Sequence, residues 1–452
     1  MTGADGKAVR ATAPRSAHAG WQPAQDRFDP VQILAEQDRA RTPQLVPIRH
    51  DRMLTSPLAF FRGSAAIMAA DLAGTPVTGL RVQLCGDAHL SNFGGFAAPD
   101  RSLVFDLNDF DETLPGPWEW DIKRLAASIE VAGRDRGFAA GAVRDAVLAT
   151  VRAYREAMRT FAEMRTIDVW YARLDIDQQF AELAQRVRGR RRRKMEKDLT
   201  KARSKNSLRA LQKLTHTVDG QPHIISDPPL IVPLKDLVGE AEAEHVREQL
   251  ATYWRSYQQS LQSDRRQLLR GYRPVDMAHK VVGVGSVGTR AWIVLTLGRD
   301  AADPLFLQLK EAQRSVLEPF AGRSRVTNQG RRVVDGQRMV QAASDVLLGW
   351  FRIERDTDGR RRDYYVRQLW DAKASVPVEQ LSADELTLYG EICGWTLARA
   401  HARTGDRAAL ASYLGRSDRF DRALATFAKT YADRNERDYE AFAAAVKAGR
   451  AG

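Results

Sequence analysis

Cysteine is nearly absent: Cys85 and Cys393 are the only two in 452 residues. Two thiols exclude a disulfide-stapled scaffold and any cysteine-based zinc or cluster site, and they point to a reducing compartment. No run approaches the roughly 18 apolar residues that a membrane helix needs, and the N-terminus lacks the apolar core of a secretion signal. The expectation is a cytoplasmic protein with no membrane partner. Large apolar side chains are sparse over residues 1–28, which are rich in Ala, Gly, Pro and Ser. Such a stretch cannot offset its own ordering entropy, so a disordered tail is expected there.

What is present suffices for a sizeable core: 44% of the residues are hydrophobic and 28% charged. The length fits two or three domain-sized units or one large globule of two lobes. The formal charge of +12 suggests a nucleic-acid partner until its distribution is considered. Residues 186–205 hold eleven Lys and Arg against Glu196 and Asp198, so nine of the twelve charges sit in one segment. That run reads first as a solvated helix face or loop, and second as a contact for an anionic macromolecule or an acidic substrate.

Apolar residues at helical spacing predict a helix from Ser56 to Ala73, with Ser56 as N-cap and Pro57 in the first turn. VQLCGDAHLSNFGG and SLVFDLNDFDE read as short strands that end in polar, Asp-rich turns. Helical patterns cover Trp120 to Arg165, Ala181 to Leu214 and Glu240 to Leu269, with a hairpin at Thr215 to Ile224 around Asp219-Gly220. From Lys280 the texture is β, interrupted by a helix at Arg332 to Ser344. VLLGWFRI and DYYVRQLW form a strand pair turning at Asp358-Gly359, and a long amphipathic helix runs from Ala383 to Arg403.

Four of these segments carry candidate chemistry. In Cys85-Gly86-Asp87-Ala88-His89-Leu90-Ser91-Asn92 an Asp precedes an Asn by five residues. That pair suits phosphoryl transfer, the carboxylate orienting a hydroxyl and taking its proton while the amide oxygen holds Mg²⁺. An Asx turn that only closes a loop gives the same spacing. From Asp106 to Glu112, five acidic or amide groups crowd into seven residues. They repel one another unless a cation neutralises them, and Asp106 and Asp109 are the candidate metal ligands.

Gly283-Val284-Gly285-Ser286-Val287-Gly288 completes a G-x-G-x-x-G. Thr289 to Leu297 is β-branched and aromatic, hence a strand, whereas a dinucleotide fold needs a helix at that point. A glycine loop between two strands covers nucleotide phosphates, with Gly283, Gly285, Ser286 and Gly288 as the candidate contacts; a plain glycine-rich turn is the alternative. Lys310 closes the apolar strand that follows, where its ammonium reaches the α and β phosphates. Arg52 and Arg62, upstream of the Asp87 segment, fit either a phosphate clamp or, more simply, salt bridges.

GDAHLSN resembles the Gly-Asp-x-His-x-x-Asn catalytic loop of aminoglycoside and choline phosphotransferases at Gly86, Asp87, His89 and Asn92. Asp109-Phe110 resembles their metal-binding Asp-Phe/Trp pair. The spacing onward to Gly116-Pro117 and Asp121-Ile122 is similar to theirs, which favours Asp109 over Asp106. LARAHARTGD, Leu397 to Asp406, resembles the helix those enzymes place just before the loop. From about residue 30 to about 440 the chain also resembles a bacterial family designated domain of unknown function 2252, through FFRGSA, CGDAHLSNFGGF, FDLNDFDET, GVGSVGTR, LQLKEA and QAASDVLLGW. Two departures stand out. Cys85 occupies the place of the usual backbone-anchoring His. The segment NQGRRVVDGQRMVQAASD lacks the glutamate that would pair with Lys310: Asp335 is its well-placed acid, and Glu311 and Glu318 fall outside it.

In ordinary members of the kinase superfamily the glycine loop and lysine precede the catalytic loop; here they follow it by about two hundred residues. The resemblance therefore implies an α+β, circularly permuted protein-kinase-like fold of two lobes. Its β-rich nucleotide lobe would span 279–372, and its larger helical lobe would combine 29–278 with 373–452. The implied activity is transfer of a phosphoryl group from ATP, with Mg²⁺, to a hydroxyl of an unidentified acceptor. AMP transfer on the same fold, a pseudokinase, and a non-catalytic polyanion or nucleic-acid binder acting through 186–205 are the alternatives.

Overall fold

The computed structural model describes residues 3–176, 178, 197, 200, 207–281, 283–356, 359–369, 372 and 374–450. The basic run 186–205, apart from positions 197 and 200, lies outside the described residues, as does the expected helix before Ser207. Within them the protein is mixed α+β with several antiparallel sheets. The strands in chain order are β1 (Arg81–Leu84), β2 (Phe93–Ala97), β3 (Leu103–Leu107), β4 (Leu114–Pro117), β5 (Leu174–Asp175), β6 (Thr215–Val218), β7 (Gln221–Ile224), β8 (Ile231–Pro233), β9 (Arg273–Lys280), β10 (Ala291–Leu297), β11 (Pro304–Ala312), β12 (Gly349–Ile353), β13 (Arg362–Gln368) and β14 (Ala374–Ser375).

The largest sheet is six-stranded, in the order β12-β13-β11-β10-β9-β8. Strand β11 reads PLFLQLKEA and is buried along nearly its whole length, as expected of a central strand covered on both faces. One side is covered by the helix Glu240–Ser260, where Tyr257 donates its hydroxyl to the Leu347 carbonyl at 2.6 Å and Ser260 accepts from the Trp350 amide at 2.9 Å. The β-rich region is thus larger than the expected 279–372. It recruits β8, most of β9 and this helix from the stretch assigned to the helical part, because the edge of β9 pairs with β8 and the face of β12 needs a cover.

The helical region is built around the helices Trp118–Asp135, Ala140–Glu163, Ala383–Thr404 and Arg419–Lys447. Ala383–Thr404 starts on a full capping box at Ser382 and Glu385, and it packs closely on Ala140–Glu163. At Gly394 a Cβ would lie 2.3 Å from the Thr150 carbonyl oxygen, so only glycine permits this approach. The hairpin at β6–β7 forms as expected, with Asp219 and Gly220 both at positive φ (50° and 78°) as a two-residue turn of this type requires. The expected helix from Ser56 to Ala73 is instead two, Pro57–Gly63 and Ala65–Ala73. Ser56 caps the first, its Oγ accepting from the Ala59 amide at 3.2 Å. The break follows Gly63, whose carbonyl is taken by Arg49 Nη2 at 3.1 Å.

The N-terminal stretch is a correction to the expected disordered tail. His18 is buried beside Tyr413 and Phe420, and the Trp21 ring centre lies 5.0 Å from that of Tyr431. Arg27 makes four hydrogen bonds, two to Asp71 and two to Asp438. A few large anchors and a buried ion pair hold a segment whose average composition is that of a free chain.

Candidate active site

The catalytic-loop candidate is held by one face of the helix Trp118–Asp135. Asp121, Arg124 and Ser128 follow one another at spacings of three and four, so they project from the same side. Asp121 accepts from the amides of Cys85 at 2.8 Å and Gly86 at 3.1 Å. Arg124 Nε donates to Asp87 Oδ1 at 2.7 Å, and Ser128 Oγ accepts from the Leu90 amide at 3.1 Å. The anchoring that Cys85 cannot supply therefore comes from Asp121, which is itself contacted by His401 Nε2 at 3.3 Å. Gly86 adopts φ +88°, and a Cβ there would lie 2.3 Å from the Glu112 carbonyl oxygen, so the loop and the acidic turn meet only because it is glycine.

Inside the loop, Asn92 Nδ2 donates to the Asp87 carbonyl at 2.8 Å. His89 Nδ1 accepts from the Ser91 amide at 3.2 Å, which orients the ring and leaves Nε2 3.6 Å from Asp87 Oδ2. Burial pushes the His89 pKa down to about 3, only partly countered by Asp87, so the imidazole is neutral and orders the loop. Asp87 itself is among the residues that line the cleft.

Asp87, Asn92, Asp109, Gly283, Gly285, Ser286 and Lys310 line a single cleft of about 460 Å³ between the six-stranded sheet and the helical region. Two candidates do not. Gly288 lies behind the loop, at φ +87° against Arg41, with its carbonyl accepting from the Thr42 amide at 2.8 Å. Asp106 is 2% exposed and faces away: Arg399 pairs with its Oδ1, the Leu107 amide donates to the same oxygen at 2.8 Å, and the Ala342 amide donates to Oδ2 at 3.2 Å. Asp106 is therefore not placed to hold a metal in the cleft; it ties β3 to the helix Ala383–Thr404.

The partner of Lys310 is Asp111. Lys310 Nζ lies 2.6 Å from Asp111 Oδ2 and 4.0 Å from Asp109 Oδ2. Asp111 also accepts from Tyr365 Oη at 2.7 Å and from Ser286 Oγ at 3.2 Å, so the acidic turn, the lysine strand and the glycine loop converge on one carboxylate. Burial works against both charges of this pair. Asp111 nevertheless holds the Lys310 pKa well above its usual value, while Lys310 and the Tyr365 hydrogen bond hold Asp111 below the usual carboxylate range. Asp109 moves the other way, raised by loss of hydration and then by the neighbouring Asp111 charge. The helix Gln329–Val340 contributes Arg332, whose guanidinium donates to the carbonyls of Thr113 (2.6 Å), Asp111 (2.8 Å) and Gln313 (2.9 Å). Asp335 is engaged with Arg331 at 3.2 Å and takes no part.

Sequence reasoning missed Asp111, Arg124 and Arg41. Arg41 Nη1 donates to the Val287 carbonyl and Nη2 to the Gly285 carbonyl at 3.0 Å, gripping the glycine loop from far upstream. Arg124 was in principle legible, since it stands one helical turn after Asp121. Nothing local marks Arg41 or distinguishes Asp111 from its acidic neighbours.

The fold and cleft define an α+β protein whose polar cleft brings carboxylates and a buried lysine from distant segments together. The chain belongs to the family described as "Uncharacterized protein conserved in bacteria (DUF2252)", whose family model matches residues 41–445. No curated protein and no solved structure matches it. No helix among the described residues is long and apolar enough to cross a membrane.

Proposed function

We propose that the protein is a phosphotransferase of circularly permuted kinase-like architecture, using ATP and Mg²⁺ to phosphorylate a hydroxyl. The observation that carries this reading is the convergence of Asp87, Asn92, Asp109, Lys310 and the glycine hairpin on one cleft, although about two hundred residues separate the two sets. The permutation is supported by the end of the helix Ala383–Thr404: Thr404 Oγ1 accepts from the Gln83 amide at 3.1 Å, so this helix delivers its C-terminus to the strand that leads into the Asp87 loop. In the ordinary kinase order that helix runs directly into the loop.

The donor set fits Mg²⁺. Carboxylate and amide oxygens line the cleft around Asn92 and Asp109, with no thiolate among them, and hard oxygen ligands select Mg²⁺ over zinc. Among the described residues no three His, Cys, Asp or Glu side chains could hold a metal unaided. A magnesium ion typically takes one or two protein ligands and completes its shell with phosphate oxygens and water. When bound, the ion would neutralise charge on the phosphates.

The chain's own residues would do the rest. Lys310 would exchange Asp111 for phosphate oxygens, and the loop at Gly283, Gly285 and Ser286 would cover them. Arg124 fixes the carboxylate of Asp87, a cleft residue, which would orient the acceptor hydroxyl and take its proton. Val281, Phe96 and Leu369 are apolar residues of the lining and would contact a base. The test is Mg²⁺-dependent thermal stabilisation of the full chain by ATP, compared with Asp109→Ala and Lys310→Ala. Stabilisation of the wild type lost in both variants supports the reading, and no shift in any protein rejects it. The mass of a modified acceptor separates phosphoryl from adenylyl transfer.

A further inference from the structure

Five cationic side chains line the cleft: Arg41, Arg62, Lys280, Lys310 and Arg367. Lys310 is paired with Asp111, Arg41 holds carbonyls of the glycine loop, and Arg367 donates to Gln308 Oε1 at 3.1 Å and the Asn108 carbonyl at 3.2 Å. Arg62 is different. Its Nε is shut off from solvent with no hydrogen-bond partner, and none of its nitrogens forms a hydrogen bond or ion pair with any described residue. The salt bridge expected from the sequence is not formed with any described residue. A guanidinium nitrogen stripped of water and left unpaired is costly unless a ligand completes it.

Its position indicates which ligand. Arg62 lies in the last turn of the helix Pro57–Gly63, directly under the glycine loop: its carbonyl oxygen is 3.5 Å from where a Cβ on Gly285 would stand. The preceding residue is tied to the catalytic-loop side. Arg124 Nη2 donates to the Phe61 carbonyl at 2.7 Å while its Nε holds Asp87, and the Arg62 charge reaches His89 of the same loop. Arg62 therefore stands where the loop above and the Asp87 carboxylate below face each other.

Resting on the phosphotransferase reading, we infer that Arg62 binds the terminal phosphoryl group of the nucleoside triphosphate, the group in transit. As the acceptor oxygen bonds to phosphorus, the bond from phosphorus to the bridging oxygen of the leaving diphosphate breaks and the acceptor proton passes to Asp87. Arg62 exchanges no proton; its planar fork spreads the charge on the phosphoryl oxygens, as arginine does in other phosphoryl-transfer sites.

The experiment is calorimetric titration of the full chain with Mg·ADP and with the non-hydrolysable triphosphate Mg·AMP-PNP, for wild type, Arg62→Ala and Arg62→Lys. The wild type should prefer the triphosphate. Arg62→Ala should keep ADP affinity and lose triphosphate affinity by about tenfold or more, the scale of a charge-assisted hydrogen bond. Arg62→Lys, which keeps the charge without the fork, should fall between and carries the test if the alanine variant does not fold. A wild-type preference retained in both variants, or absent from the wild type, overturns the assignment and leaves the phosphotransferase reading standing. A wild type that binds neither nucleotide removes both.

Discussion

Lys310 and Asp111, 199 residues apart, meet at 2.6 Å inside the cleft, with Tyr365 donating to the second carboxylate oxygen. On the proposed function, Lys310 would also meet the nucleotide phosphates. Asp111, which already satisfies the lysine, would compete with an incoming nucleotide, so the two substitutions should act in opposite directions without metal. In EDTA, Asp111→Asn is expected to raise ATP affinity, because one buried negative charge leaves the phosphate path. Lys310→Met should abolish binding with or without Mg²⁺. Equilibrium titration under both conditions reads the difference.

Asp87→Asn keeps the shape of the side chain and an acceptor for Arg124 Nε but removes the base. Turnover is expected to fall by roughly 10²- to 10⁴-fold, the usual worth of a positioned general base. Mg·ATP should still raise the melting temperature as in the wild type. A parallel loss of nucleotide binding would assign Asp87 to the nucleotide and not to the acceptor.

Arg399 and Asp106 are each nearly inaccessible, and each is the other's counter-ion. Arg399→Met leaves the Asp106 carboxylate buried without its cation, which costs about 3–5 kcal/mol. Chemical denaturation should show this loss, while the folded variant retains Mg²⁺-dependent nucleotide binding. Asp106→Asn should behave the same way in the binding assay, because its carboxylate does not reach the cleft.

His18 reports on the docking of the N-terminal segment. Its Nε2 lies 2.8 Å from Tyr413 Oη, and because that hydroxyl donates to the Ala13 carbonyl at 2.9 Å, the imidazole is the donor between them. Nδ1 is buried with no partner among the described residues. Burial, with a smaller push from Lys123, lowers its pKa from 6.5 to about 3. The unfolded chain takes up a proton in that window that the folded chain refuses, so stability is full above about pH 6.5 and falls as the pH drops toward 3, by about 1.4 kcal/mol per pH unit. Melting temperature against pH should fall less steeply for His18→Gln, with His89 keeping part of the slope through the same effect. Identical slopes would place the acid sensitivity elsewhere.

Much of the cleft was legible because its chemistry is local. Gly86, Asp87 and Asn92 lie within seven consecutive residues, and the glycine loop is followed by a strand whose β-branched and aromatic texture excludes the dinucleotide alternative. The choice between Asp106 and Asp109 was not legible from alternation along β3. It depends on which carboxylate meets Arg399, a residue 293 positions away. The N-terminal stretch misled for a related reason: average composition gives no weight to one tryptophan and one arginine that find deep partners.

The order of residues by itself determined which short turns carry carboxylates, glycines and lysine, since backbone conformation and side-chain type are properties of a few neighbours. Tertiary structure alone decided which charges are satisfied and by what: Asp111 for Lys310, Asp106 for Arg399, the Cys85 and Gly86 amides for Asp121, and no described residue for Arg62. Electrostatic pairing acts through space over a few ångströms and takes no account of separation along the chain, so these partners become definite only once the chain has folded.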